Sequence, residues 1–475
     1  MNFLPVLLWS DALIWLLFFA AIALGVLSAK KPLLRAAWSR VGRSRAGMAA
    51  ATVLLVAVAI GLLDSLHYRP RLAGGNDSRD AGQPVAYAVE VLSLLDTLAT
   101  PLRMRNEKTY SAPLATRSFA KETVELPAAD GSVTAARVFP RLRFGGTHLA
   151  DEGQRAGDVR QRVLVAAVLA ALILAGAAFG GAYLAARKRQ CPVNTAWRTL
   201  WCGDGGFAWN AVLVTCGALL LIALPLTALC VEYHVFGTDK VGQDVLYQVL
   251  KSVRTALVIG LVTTLVTLPV AILLGIVAGY FRGWIDDVIQ YLYTTLSSIP
   301  GVLLIAAAVL MMQVIIDTHP QWFATAAERA DLRLLALCFI LGLTSWTGLC
   351  RLLRGETLKL RELDYVQAAQ AFGVSDLRIV VRHVLPNLMH IVIISLVMDF
   401  SGLVLAEAVL SYIGIGVDPT MISFGTMINN ARMELAREPT VWWSLLAAFS
   451  FMFALVLAAN LFANAVRDAF DPRMG

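Results

Sequence analysis

The chain has 475 residues, of which 58% are hydrophobic and only 15% charged, with a mean hydropathy of +0.68. Soluble domains carry about 25% charged residues, so this composition excludes a soluble globular protein and describes a polytopic membrane protein. The net charge of +7 is modest and aromatic residues are not interleaved with the Lys/Arg runs; that excludes nucleic acid as a partner and leaves basic loops flanking membrane spans as the source of the charge.

Nine apolar runs are long enough to cross a bilayer, near 12–28, 47–66, 163–186, 211–231, 255–280, 289–315, 334–350, 388–411 and 442–465. Asp11 precedes the first run and basic residues follow it. That charge order is opposite to a signal peptide's, so the run reads as a retained span. The loop at 29–46 holds Lys30, Lys31, Arg35, Arg40, Arg43 and Arg45 and no acid, which predicts a cytoplasmic loop. Alternation then places 67–162 outside. It places 187–210 (Arg187, Lys188, Arg189, Arg198), 351–387 and the C-terminus inside.

Residues 68–160 lack a span and contain Gly74-Gly75 and several prolines. Thr123–Pro127 and Ser132–Phe139 read as short strands around the turn Asp130-Gly131, so a small, partly β external subdomain is expected. Cys216, Cys230, Cys338 and Cys350 fall in or beside spans, while Cys191 and Cys202 share one loop as lone thiols. No pair has the C-x-x-C spacing of a metal or redox site. The predicted fold class is thus an all-α polytopic membrane protein of about nine transmembrane helices.

The most distinctive stretch is polar and lies between two spans, from Arg361 to Asn387. Tyr365, Ala369 and Phe372 fall at i, i+4 and i+7 and predict one apolar stripe. Gly373 suits the left-handed residue that ends a helix. Ser375 is placed to cap a second helix with Leu377, Val380 or Val381, and Val384 on its apolar face, closed by Pro386 before the next span. Ala368, Ala369 and Ala371 leave so little bulk that another protein's surface could approach the backbone.

Gln367-Ala368-Ala369, Gly373 and Leu385-Pro386 resemble the cytoplasmic "EAA" loop of permease subunits in ATP-binding-cassette importers, with Gln367 in place of the usual acid. Tyr365-Val366 before the alanines and His383-x-Leu385-Pro386-Asn387 after them are most similar to the dipeptide/oligopeptide/nickel branch. Three more stretches resemble that branch. One is the external signature Gly237-Thr238-Asp239, Gly242 and Asp244, followed by Arg254-Thr255. The others are the short cytoplasmic turn Ala278–Asp287 and the tail Ala465–Arg473.

The resemblance implies a coupling helix seated in a groove of a cytoplasmic ATPase, a second homologous permease subunit and an external solute-binding protein. It also implies that the chain carries no cofactor, ATP being bound by the ATPase partners. Consistent with this, the chain contains no G-x-x-x-x-G-K-[S/T] loop of its own. Localisation would be the bacterial inner membrane, multi-pass.

Family members of this branch have six spans, which implies the following organisation. Residues 1–46 are an extra N-terminal helix with a basic loop, 47–66 the first core helix, 67–162 an external segment, 163–232 an inserted hairpin, and 233–475 the core with the coupling loop at 351–387. Phe144–Leu149 and Val235–Asp239 look like one external segment split by an insert of about 151–232. The three extra helices are expected at the periphery.

Residues 240–253 are expected as a short amphipathic helix, with Val245, Leu246, Val249 and Leu250 apolar, lying near the external interface. Ser297, Ser298 and Pro300 interrupt a span and are pathway candidates or a packing kink. Asp399 and Glu407 sit within one span, where an ionised carboxylate is costly. Each either contacts the solute or a partner subunit, or makes a hydrogen bond inside the bundle. His383 and His390 read as local hydrogen-bonding residues.

Three other functional classes compete. An ion-coupled secondary transporter acting alone predicts inverted repeats and ionisable residues in several spans, and only one span here is clearly acidic. A membrane enzyme would need paired carboxylates, a His-Glu-x-x-His helix or a nucleophile beside a base, none of which is present. A purely structural subunit remains open for the extra helices. The expected function is therefore an ATP-driven importer's permease subunit, without enzymatic activity of its own, translocating di- or oligopeptides or a related solute such as a nickel chelate.

Overall fold

A computed structural model describes residues 3–71, 87–127, 133–202, 207–323 and 325–470. Gly74, Gly75, Asp130, Gly131, Ser132, the tail from 471 onward and the side chains of Lys188 and Arg189 lie outside the described residues. Strand β1 (Phe3–Val6) leads into α1 (Trp9–Lys30), the amphipathic α2 (Pro32–Arg43) and α3 (Arg45–Asp64). Strands β2 (His67–Pro70) and β3 (Leu92–Ser93) complete an antiparallel sheet of order β1-β2-β3, in which Phe3 faces Pro70 and His67 faces Ser93. Short helices α4 (Leu94–Leu98) and α5 (Thr100–Arg103) follow, then a hairpin of β4 (Glu122–Pro127) and β5 (Val133–Val138). The hairpin matches the two strands expected there; sequence patterning gave no sign that the first residues of the chain join a sheet.

Helices α6 (Arg155–Arg189), α7 (Val193–Cys202) and α8 (Trp209–Cys230) form the extra hairpin, with α8 packed on both α6 and α3. Next come α9 (Val245–Phe281), α10 (Trp284–Ser298), α11 (Gly301–Thr318) and α12 (Ala326–Arg361). The remaining elements are α13 (Asp364–Ala371), α14 (Asp376–Ile379), α15 (Leu385–Ile413), α16 (Phe424–Glu434) and α17 (Trp443–Phe470). Among the described residues nine helices are long and apolar enough to cross a membrane: α1, α3, α6, α8, α9, α11, α12, the α14–α15 run and α17. The protein is a multi-pass membrane protein. The basic loops collect at one end of the bundle, which the positive-inside rule makes the cytoplasmic end.

One core runs along α9. Val245, Val249, Phe424 and Trp443 fill its external third, Ile259, Leu334, Leu337 and Leu341 the middle, and Ile276, Leu353, Val366, Ile379 and Val384 the cytoplasmic third. α9 and α12 touch closely because Gly275 and Gly279 face Cys350, Leu353 and Thr357, where an added Cβ would collide at 2.6–2.9 Å.

Three expectations are corrected. No separate interfacial helix forms at 240–253. α9 starts at Val245 and is continuous, because Val245, Leu246 and Val249 are buried under α16, α17 and the external segment. The run at 289–315 is broken at Ile299-Pro300, and α11 alone crosses. Within α10, Asp286 and Ser297 lie eleven residues apart, about 16 Å of helix, yet they bond α12 at Arg354 and Arg351, only three residues apart.

Last, α1 is not simply peripheral. Its inner half is exposed, but Ser10 and Asp11 are fully buried. The Ser10 amide and hydroxyl donate to Asp331, and Arg254 donates to the Ser10 hydroxyl (2.9 Å) and to Asp11 (2.5 Å). Asp11 also meets His67 Nδ1 at 2.7 Å. A buried guanidinium needs a counter-charge, and α1 supplies it.

Candidate functional site

At the cytoplasmic end α13 and α14 form the expected helical hairpin. Gly373 adopts φ +74, the Gly373 amide donates to the Gln370 carbonyl (3.0 Å) and the Val374 amide to the Ala369 carbonyl (3.1 Å). These two bonds are the C-terminal turn that glycine permits. The stripe, however, is rotated: Val366 is the fully buried residue of α13, Ala369 is half-buried, and Tyr365 and Phe372 are exposed. On the following turns Ile379 and Val384 are buried, Val380 is half-buried, and Leu377 and Val381 are exposed.

Nor does Pro386 close a helix. Residues Val380–Val384 form a π-helical turn that carries the chain straight into α15. Pro386 donates no amide bond to the turn before it, and a widened turn absorbs that loss. Asn387 donates to the Tyr365 hydroxyl (3.0 Å) and the His383 carbonyl (2.7 Å), while His390 bonds the Asn387 carbonyl, the local role expected of it. Gln367 reaches the Glu362 carbonyl at 3.3 Å, and Ala368 is exposed. Leu385 packs partly on the cytoplasmic core cluster.

The hairpin is held by residues that sequence reasoning read only as a resemblance mark. The Tyr280 hydroxyl donates to Asp376 (2.8 Å) and accepts from Gln370 (3.1 Å), tying α13 and α14 to the end of α9. Arg282 pairs with Glu362 (2.5 Å), and Arg354 grips Asp286 through two bonds of 2.6 and 2.7 Å. The Arg354 contact, the larger cause, holds the Asp286 carboxyl below its ordinary range. The only signal was a Tyr, an Arg and an Asp crowded around one short turn. The outcome is a braced platform from which Phe372, 88% exposed, and Leu377, 75% exposed, project.

At the external end the signature residues form a latch. The Thr238 hydroxyl donates to the Thr109 carbonyl (2.9 Å) and accepts from the Ser111 amide (2.7 Å), and Trp443 Nε1 donates to the Thr238 carbonyl (3.0 Å). Gly237 and Gly242 have φ of +70 and +78, and a Cβ on Gly242 would sit 1.9 Å from the Glu107 carbonyl oxygen. Asp239 accepts from the Val241 and Gln243 amides and from Gln248. Asp244 caps α9 by accepting from the Leu246 amide, and its other oxygen meets His234 Nδ1 at 2.8 Å.

His234, absent from the sequence reading, is buried between Asp244 and Glu107. Burial alone would lower its pKa, but the two carboxylates outweigh burial and raise it to about 9. The Gly146 amide donates to the Glu232 carbonyl (2.8 Å), so the two ends of the inserted segment lie side by side.

The pathway candidates separate. Glu407 is buried and accepts from Ser411 (2.6 Å) and Ser423 (2.8 Å), which anchors α16 on α15. Asp399 is exposed on α15 and makes no hydrogen bond or ion pair with described residues. Ser297, Ser298 and Pro300 are exposed, with Arg351 donating to Ser297 at 3.2 Å, at the cytoplasmic mouth of α11.

The arrangement is a multi-pass membrane bundle with a braced helical hairpin that leaves Phe372 and Leu377 exposed. Residues 271–475 match the family of binding-protein-dependent transport system inner membrane components. The chain is 31% identical over 239 residues to the oligopeptide transport system permease protein OppC of Mycobacterium bovis, covering 50% of this chain and 76% of that one. It is 30% identical over 309 residues to the glutathione transport system permease protein GsiD of Pectobacterium atrosepticum, covering 60% of this chain and 94% of the relative. The chain belongs to this family, the inner-membrane permease subunits of ATP-binding-cassette importers.

Proposed function

We propose that this chain is one of two paired permeases of an ATP-driven importer that carries di- or oligopeptides, or a related small solute such as a nickel chelate, across the inner membrane. The two relatives named for oligopeptide and glutathione transport support that cargo class. The observation that carries the coupling reading is the α13–α14 hairpin, braced by Tyr280 and presenting Phe372 and Leu377 unburied. An apolar knob on a rigid mount transmits a push only when a partner covers it.

Cytoplasmic ATPases closing on ATP draw the two hairpins together, and the permease pair opens outward to solute delivered by an external binding protein. Such a cycle works because each ligand binds the two conformations unequally. Residues 47–66 and 233–475 form the transport core, to which 1–46, fastened through Ser10 and Asp11, and 163–232 are added. Asp399, without a hydrogen-bond or ion-pair partner among the described residues, faces the second permease or the passing solute.

The test is reconstitution with the ATPases, second permease and binding protein encoded in neighbouring reading frames. ATP-dependent peptide uptake is expected in the wild type. Gly373→Asp is expected to insert normally and lose uptake. Normal uptake by that variant would remove the docking assignment.

A further inference from the structure

A cavity of about 530 Å³ lies at the external end, between the start of α9, α16 and the external segment. Its chemistry is two-signed. In its lining Glu434 is 5% exposed, and among the described residues its carboxylate accepts one hydrogen bond, 2.7 Å from the Tyr110 hydroxyl. Its second oxygen has no partner among the described residues. Asp239 lines the same space.

Arg432, Arg437 and Lys240 line it as well. Arg437 lies over the Tyr110 ring at 5.4 Å and Arg432 over Tyr412 at 5.0 Å, and neither has a carboxylate partner among the described residues. Tyr110 thus stands between a half-satisfied carboxylate and an unpaired guanidinium. Asn429 and Asn430 also line the space.

A cavity lined by a buried acid and by guanidiniums that have no carboxylate partner among the described residues fits a ligand that carries both an ammonium and a carboxylate. Charge-assisted bonds at each end are the strong, orienting contacts of a small-ligand site. We infer that this cavity is an external receiving site for a short zwitterionic peptide, its α-ammonium held by Glu434 and Asp239 and its α-carboxylate by Arg437 and Arg432. The inference rests on the peptide-import reading above and names the end groups that reading leaves open.

The experiment uses the assembled transporter in lipid nanodiscs without the binding protein. Equilibrium binding of trialanine is compared with that of N-acetyl-trialanine and trialanine amide, for the wild type and for Glu434→Gln and Arg437→Gln. Trialanine is expected to bind about tenfold or more tighter than either blocked form. Glu434→Gln, which keeps an acceptor for Tyr110, should weaken trialanine and the amide but leave the N-acetyl form unchanged. Arg437→Gln should show the mirror pattern.

Equal affinity for all three peptides, or equal effects of a variant on both blocked forms, overturns the assignment. Wild-type vesicles that take up trialanine with ATP and binding protein, yet show no direct binding, remove the cavity while the transport reading stands. Absence of ATP-driven uptake for every peptide tested removes the transport reading, and the ligand with it.

Discussion

The two ends of the bundle are built on opposite terms. At the external end three sets of charges are buried and matched, outside the cavity: Asp11 with Arg254, His234 with Asp244 and Glu107, and Lys251 with Asp64 and Asp96 at 2.7 and 3.0 Å. At the cytoplasmic end Arg282–Glu362 sits in the open, Arg354–Asp286 is partly covered, and the apolar Phe372 and Leu377 are left exposed. Removing one member of a buried pair strands the other, so matched burial fixes a single geometry. Exposed apolar groups gain free energy only when a second surface arrives. Buried charges fasten the external end within the chain, whereas Phe372 and Leu377 at the cytoplasmic end stay exposed.

The sharpest way to break this contrast is Phe372→Asp. Placing a charge where an apolar partner groove would close costs several kcal/mol at that interface, so ATP-driven uptake should fall by more than about a hundredfold. The thermal unfolding midpoint of the detergent-solubilised chain should not move, because the side chain packs on nothing within the molecule. A lowered midpoint would mean that Phe372 is part of the fold.

Asp11→Ala should do the reverse. It leaves Arg254 buried without its carboxylate, at a cost of about 3–5 kcal/mol, read as a lowered midpoint. The double variant Asp11→Ala/Arg254→Leu should recover part of that loss. If Asp11→Ala alone is silent, α1 is not fastened to the core as described.

His234 gives the external latch a pH signature. Its folded pKa, about 9, lies above the ordinary histidine value of 6.5. Protonated histidine is therefore favoured by the fold. The contribution is fully present below about pH 6.5 and fades as pH rises through 9, with an upper size of about 3 kcal/mol. Between pH 6 and 10 the wild type should lose stability that His234→Phe, already lower, does not lose. Parallel curves would show that the imidazole is neutral between its carboxylates.

The sequence disclosed what depends on one residue's own geometry or on a long apolar run. Nine spans were legible because a hydrocarbon core demands length and apolarity. Gly373 was legible because few other residues take φ +74 readily. The rotation of α13 was not. In a helix of eight residues that contains three alanines, Tyr365–Ala369–Phe372 and the face through Val366 both read as stripes, and only the cluster of Ile276, Leu353 and Ile379 decides between them. The π turn before Pro386 follows from the need to continue into α15, which no local pattern states. The pairings of Asp11 with Arg254 and Tyr280 with Asp376 join residues 243 and 96 positions apart, beyond the reach of any periodicity.

The smallest expected effect tests the brace itself. Tyr280→Phe removes the hydroxyl that Gln370 and Asp376 share while keeping the ring under Arg361, 6.0 Å from the centroid. Both lost partners can turn to water, so the cost should be about 1 kcal/mol and global unfolding should barely change. What should change is local: limited proteolysis between α13 and α14 should be about fivefold faster in the isolated chain, since opening of that segment sets the rate. Addition of the ATPase partner should protect both proteins equally. If cleavage is unchanged, the platform is rigid through Val366 and Ile379 packing alone, and the hydroxyl contributes nothing to the mount on which Phe372 stands.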